Sequence, residues 1–102
     1  MADRDLKFIS LGTRVIAISG SDANDAGFLP GRLYRFVMSG LDGATACCAW
    51  GSGAATAADA GSDFVITAGS GPIEMRAPGT TLHAIQSGVG GNLFASLIDE
   101  GP

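Results

Sequence analysis

Short apolar runs separated by glycine-rich turns make up most of the chain. In the second half apolar Ile73, Met75 and Ala77 alternate with charged Glu74 and Arg76. A period of two places one set of side chains on one face of a β-strand. Helical periodicity is hard to find, because Gly, Pro or β-branched residues interrupt nearly every window. The pattern predicts eight short strands, at residues 7–11, 14–19, 32–39, 44–50, 63–68, 73–77, 82–86 and 92–98.

The segments between these strands have the chemistry of turns and loops. They comprise Gly12-Thr13 and residues 19–31, 40–43, 51–61, 69–72, 78–80 and 88–91. Pro78-Gly79 is the sharpest signal and predicts a type II turn with a positive φ at Gly79. The alanine-rich segment 53–60 is interpreted as a loop with one helical turn. Short strands at such spacing are typical of a β-sandwich or barrel.

The predicted strand 32–39 departs from simple alternation. Its residues Leu33, Tyr34, Phe36, Val37 and Met38 make both faces largely apolar. Such a strand is either central between two layers or covered on its outer side by another subunit. The sequence leaves both interpretations open.

Composition narrows the class of protein. With 102 residues the chain is expected to form one domain, residues 1–102, around a single core. Six basic residues are scattered among ten acidic ones and the net charge is −4, which argues against a nucleic-acid partner. No apolar run approaches the roughly 20 residues of a membrane-spanning helix, and the charged N-terminus argues against a secretory signal. Synthesis and assembly in the cytoplasm, without a membrane partner, are therefore expected.

Charged residues are only 16% of the chain, against about 25% on average. A good part of the exterior is therefore expected to be neutral, small or apolar. Such a surface favours coverage by a partner protein.

Candidate catalytic groups are few. The only histidine, His83, lies between Leu82 and Ala84 on a predicted strand and is interpreted as a partly buried structural residue. The adjacent Cys47 and Cys48 are interpreted as buried free thiols, since neighbouring strand residues point to opposite faces. No catalytic residue, cofactor or metal site is predicted, so an enzyme is not expected. A small thiol hydrolase that pairs either cysteine with His83 stays open as a remote alternative.

Two further segments invite a binding function. Residues 21–27 contain Asp22, Asn24 and Asp25, but a calcium loop would place Ala26 and Leu33 at ligand positions, so an Asx-rich turn is the better interpretation. The aromatic side chains of Trp50 and Tyr34, with Phe36 and Phe64, are expected to lie mainly in the core. A carbohydrate-binding groove that includes them is the alternative.

One set of segments resembles a class of small tailed-bacteriophage virion proteins. The likeness covers residues 32–98, about two thirds of the chain. It rests on Leu33-Tyr34-Arg35-Phe36, Cys48-Ala49-Trp50-Gly51-Ser52 followed by Ala55-Thr56, Gly71-Pro72-Ile73-Glu74, Ala84-Ile85-Gln86 and Gly91-Asn92-Leu93. The resemblance implies an all-β, antiparallel β-sandwich, jelly-roll-like, that serves as a head decoration or cement protein. No catalytic residue of that class carries over.

The resemblance also implies partners: the major capsid protein, on the outside of a phage head, and further copies of the same chain, for which a trimer fits lattice symmetry. A tail-associated minor virion module is the alternative. Residues 1–31 lie outside the likeness and are expected to complete the sandwich or to form an N-terminal arm. Apolar residues that are expected at the surface are the candidates for contacts with the capsid. They form two groups, Phe8, Ile9 and Leu11 in the arm and Phe28, Leu29 and Pro30 in a loop.

Overall fold

The structure, a computed structural model, describes residues 10–51 and 63–98. Within them the chain forms eight strands. They are β1 (Ser10–Ile18), β2 (Ala23–Asp25), β3 (Leu33–Gly40), β4 (Thr45–Trp50), β5 (Phe64–Thr67), β6 (Ile73–Arg76), β7 (Leu82–Gln86) and β8 (Gly91–Ile98). The predicted alanine-rich loop 53–60 and the first part of the predicted strand 7–11 lie outside the described residues.

The strands form two antiparallel four-stranded sheets. The first sheet has the order β1-β8-β3-β6 and the second has the order β2-β7-β4-β5. In this scheme β1 pairs with β8, β2 with β7, β3 with β6 and β4 with β5. Such pairing is that of one long antiparallel hairpin wound into two facing sheets, which is the jelly roll. The predicted antiparallel, jelly-roll-like β-sandwich is confirmed.

The core lies between the two sheets. On β3 alternate residues Tyr34, Phe36 and Met38 are buried, as the period of two requires. Small side chains face them from β4 and β7, including Ala46 and Ala84. Large side chains on β3 and small ones such as Ala46 and Ala84 on the second sheet allow the layers to interdigitate at close packing.

Aromatic rings cluster in one part of this core. The ring of Phe28 lies 4.8 Å from that of Tyr34 and 5.1 Å from that of Trp50, both edge-on. Phe36 lies 5.2 Å from Phe64 and 6.1 Å from Trp50, centroid to centroid. Edge-to-face pairs at these separations are favourable arrangements of aromatic quadrupoles. The expectation that these aromatic residues lie mainly in the core is thereby met.

The start of the chain differs from the sequence prediction. Gly12-Thr13 was predicted as a turn, but β1 continues through it, with a register irregularity between Ser10 and Thr13. Gly12 has a φ of 151°, which residues with a side chain rarely adopt, and so allows this bulge. Residues 19–31 were predicted as a loop, yet Ala23–Asp25 forms the short β2 on the edge of the second sheet. Turn-forming Asn and Asp side chains hide this strand in the sequence.

The predicted geometry at Pro78-Gly79 is also wrong in one respect. The chain does reverse there between β6 and β7, but Gly79 has no positive φ, so the turn is not of type II. Left-handed glycines occur instead at other loops, such as Gly31 and Gly69.

Strand β3 lies between β8 and β6 in its sheet. Its inward side chains pack on the second sheet, while Val37 on the outer side is 40% exposed. Within residues 10–51 and 63–98 no second layer therefore covers the outer side of β3 at Val37.

Candidate functional site

A cleft of about 460 Å³ opens beside Trp50, where β4 ends. Among the described residues, Gly51 and the β6–β7 turn, Pro78 to Thr81, also line it. The amide of Gly51 donates a hydrogen bond to the carbonyl of Thr81 at 3.0 Å, which holds the two walls together. The cleft therefore combines one aromatic face with two threonine hydroxyls and backbone groups, a set that suits a polyhydroxylated ligand.

The indole of Trp50 is fixed from behind. Its Nε1 donates to Sδ of Met75 at 3.4 Å, and the ring of Phe28 meets it at an interplanar angle of 84°. The side chain is half-buried, with its inner part in the core. A half-buried, immobilised tryptophan loses little conformational entropy when a ligand binds.

His83 lies on the side of β7 that faces away from the core, because its neighbours Leu82 and Ala84 point inward. It is nevertheless only 1% exposed. Nδ1 of the imidazole lies 3.0 Å from Oδ2 of Asp22, just before β2. Nε2 is buried and has no hydrogen-bond partner within the part of the chain that the structure describes. The Asp22–His83 contact ties the entry to β2 onto β7, and the burial of His83 keeps it from an external substrate.

The two thiols lie on opposite faces of β4. Cys48 belongs to the core and Cys47 does not, yet both are buried and free, as predicted. Burial, with a smaller effect from Cys47, raises the pKa of the Cys48 thiol to about 12. The register places Ala49 opposite His83, so neither cysteine is its direct cross-strand neighbour. A protonated, enclosed Cys48 is a poor nucleophile.

The acidic residues of the 21–27 segment are used in protein contacts. Oδ1 of Asp25 accepts from Arg14 Nε and from the Gly27 amide, both at 2.8 Å. Burial acts to raise the pKa of Asp25, but the hydrogen bonds from Arg14 and Gly27 outweigh it, and the pKa is lowered. The hydrogen bond to Asp25 in turn raises the pKa of Arg14. Among residues 10–51 and 63–98 no group of three or more His, Cys, Asp or Glu side chains could hold a metal ion.

The contact residues predicted from the sequence fall into different environments. Phe8 and Ile9 lie outside the described residues, and Leu11 lies in β1 with its side chain outside the description. Phe28 is 1% exposed and its ring fills the aromatic core, so it lacks the surface exposure on which its prediction as a contact residue was based. The backbone folds back here, since the Phe28 amide donates to the Thr80 carbonyl at 3.1 Å.

Leu29 and Pro30 are exposed, Leu29 to 47%. Leu29 shares a cleft of about 240 Å³ with Gly12 and Thr13 at the start of β1. The predicted contact residue Leu29 therefore lies next to the start of β1, the strand that follows the N-terminal residues.

A further apolar feature, not predicted from the sequence, lies on the outer face of the first sheet. Val15, Phe94 and Val37 lie opposite one another on β1, β8 and β3, and we call these three residues the apolar row. Val15 is 54% exposed and Phe94 is partly buried. The alternation of residues along each strand indicates that Val15 and Val37 point outward. That they lie side by side depends on the pairing register of β1, β8 and β3, which the sequence pattern does not give.

In the described residues the structure has no helix long and apolar enough to cross a membrane. Comparison of the chain with protein-family models, with curated proteins and with solved structures finds no match.

Proposed function

We propose that this chain is a structural virion protein, a decoration or cement protein that binds the outside of a tailed-phage head and stabilises the shell. The observation that carries the proposal is the strand pairing, first with eighth through fourth with fifth. Viral capsid and lectin domains are frequent users of this jelly roll. This likeness in fold is an analogy, and it agrees with the resemblance carried by residues 32–98.

The surface chemistry supports a protein partner rather than a reaction. The most nucleophilic groups, Cys47 and Cys48, are enclosed, and so is His83. Large apolar side chains lie at the surface instead, among them Leu29 and the apolar row. Exposed apolar patches framed by polar residues are typical of interaction sites.

A cement protein works through contact area and repetition. Each copy bridges neighbouring shell subunits, and contacts that are weak singly become strong when several are made at once. Leu29 lines a cleft together with Gly12 and Thr13 at the start of β1, and this end of the sandwich is the proposed contact region. We assign it to the capsid, with the N-terminal residues as its extension.

The first test is the copy number of the protein in purified particles, measured by quantitative mass spectrometry against the major shell protein. We expect a simple fixed ratio to the shell subunit. A handful of copies per particle would instead indicate the tail or portal. Absence from particles would overturn the proposal.

A second test concerns the contact region. Leu29→Asp places a charge at the proposed interface and should weaken capsid binding at least tenfold. Leu41→Asp is the matched control, because Leu41 is 76% exposed in the β3–β4 turn, beyond the opposite end of β3. Equal loss of binding in both variants would contradict the assignment of this end.

The cleft beside Trp50 favours a second candidate, carbohydrate binding. Since Trp50 is the only tryptophan, ligand binding is readable directly from its fluorescence. We expect a saturable change with a sugar ligand that Thr81→Val weakens, because the valine keeps the shape and loses the hydroxyl. Unchanged fluorescence across a panel of mono- and oligosaccharides would remove this candidate and leave the capsid proposal untouched.

A further inference from the structure

The four strands at the sheet edges differ greatly in length and charge. β2 has three residues, and β5 and β6 have four each. β6 also carries the exposed charges of Glu74 and Arg76. β1 has nine residues and, among residues 10–51 and 63–98, pairs on one side only, with β8. Short or charged edges resist pairing with other chains, so β1 is the edge with the least such protection.

The backbone N–H and C=O groups of alternate residues of β1 point away from β8, toward the open side of the strand. The carbonyl of Ile18 lies against Gly90, close enough that a Cβ on Gly90 would overlap it, and therefore points toward β8. Backbone groups alternate in direction along an antiparallel strand. The N–H and C=O groups of Val15 and Ala17 therefore point away from β8. In the described part of the chain no strand pairs with them there.

The side chains on this edge do not oppose pairing. Val15 and Ala17 are exposed and uncharged. The one charge between residues 13 and 18, on Arg14, is engaged by Asp25 on the other sheet. The segment contains neither Lys nor Pro, and the bulge is confined to the residues before Thr13. Lysine, proline and a bulge are the devices by which natural edge strands avoid association, and residues 13–18 contain none of them.

We propose that two copies of this chain pair through β1, antiparallel and about a two-fold axis, to form one eight-stranded sheet. A register centred on Ile16 places Val15 of one copy opposite Ala17 of the other. The outward groups of these two residues then exchange four backbone hydrogen bonds across the axis. The same register sets the exposed side chain of Val15 of each copy beside Ala17 of the other at the seam, which removes further apolar surface from water.

The inference goes beyond the proposed function and does not depend on it. Pairing through β1 is decided by the strand edge, whereas capsid binding is assigned to the end of the sandwich at Leu29. A protein that decorates no capsid can still pair through β1, and the reverse also holds.

Sedimentation velocity of the full chain tests the proposal. We expect a species of twice the chain mass that dissociates on dilution. Ala17→Lys and Ala17→Pro should each weaken self-association about tenfold or more, the first by charge repulsion and the second by removing two of the four donors. Proline with its nitrogen on the open side of an edge strand is compatible with the fold. Val37→Lys is the control, since it alters the same sheet face away from the edge and should leave the dimer intact.

Amide exchange on the unaltered protein gives an independent readout. The Val15 and Ala17 amides should be protected at high concentration and lose protection on dilution. Fast exchange at all concentrations would overturn the proposal. So would protection in a monomer, because the edge would then be covered by the chain itself. A trimeric mass, or a dimer broken by Val37→Lys but not by Ala17→Lys, would also overturn it.

Discussion

Replacing Phe28 by alanine tests whether this residue belongs to the core or to the surface. Its ring is 1% exposed and contacts the rings of Tyr34 and Trp50 at 4.8 and 5.1 Å. On its other side the Arg14 guanidinium carbon lies 6.0 Å from the ring centroid. Removing a buried phenyl ring loses transfer free energy and leaves a cavity, together about 3–5 kcal/mol.

That loss is large for a domain of this size. The free energy of unfolding of a protein is typically about 5–15 kcal/mol, so the variant should lose a large part of it. In a domain of about 100 residues each kcal/mol corresponds to roughly 4–8 °C in Tm. A drop of at least about 12 °C is therefore expected for Phe28→Ala, taking the lower limits of both ranges.

Urea unfolding followed by far-UV circular dichroism measures the effect. Trp50 fluorescence serves as a second probe, and its signal should also change in the folded baseline because Phe28 touches the indole. Leu29→Ala is the matched control, since Leu29 is the next residue and is 47% exposed. We expect it to change the free energy of unfolding by less than about 0.5 kcal/mol. Similar values for the two variants would refute the assignment of Phe28 to the core.

Three further predictions concern packing and buried polar groups. Gly91→Ala should destabilise the protein by about 1–3 kcal/mol in urea unfolding, because its Cβ would overlap a backbone carbonyl of β3. Gly51→Ala meets no atom of residues 10–51 and 63–98 within 4 Å and should be neutral. The raised pKa of Cys48 means that the folded state holds its proton more tightly than the unfolded state does. The free energy of unfolding should therefore fall above pH 9, by up to about 1.4 kcal/mol per pH unit, and Cys48→Ala should abolish this slope. Asp22→Ala should cost about 1–3 kcal/mol by leaving the buried His83 Nδ1 without its acceptor, and a smaller loss in a His83→Leu background would verify the coupling by double-mutant cycle.

The local sequence pattern predicted those strands in which apolar and polar residues alternate regularly. β6 and β8 follow from the alternation of residues such as Met75 with Glu74, because burial of one face needs a period of two. β2 could not be found this way. Its Asn24 and Asp25 favour turns locally, and only pairing with β7, itself about 60 residues away in sequence, makes this segment a strand.

The candidate sites depend on long-range register even more strongly. Trp50 meets Pro78 and Thr81 only because β4 pairs with β7 and brings the β6–β7 turn beside the end of β4. Phe28 was expected at the surface because Gly27, Leu29 and Pro30 form a loop around it. Nothing in that local sequence shows that the chain folds back so that one side chain of the loop enters the core.

The pairing of the first strand with the last has a kinetic consequence. Thr13 on β1 bonds to Ser96 on β8, 83 residues further along the chain. Contacts of such high sequence separation must overcome a large loop-closure entropy before they stabilise anything, and folds rich in them form slowly. β8 is also the strand that joins β1 to β3. During synthesis the first sheet therefore cannot close until β8 is available, and until then the apolar edges of β1 and β3 are open to chaperones and to misassociation.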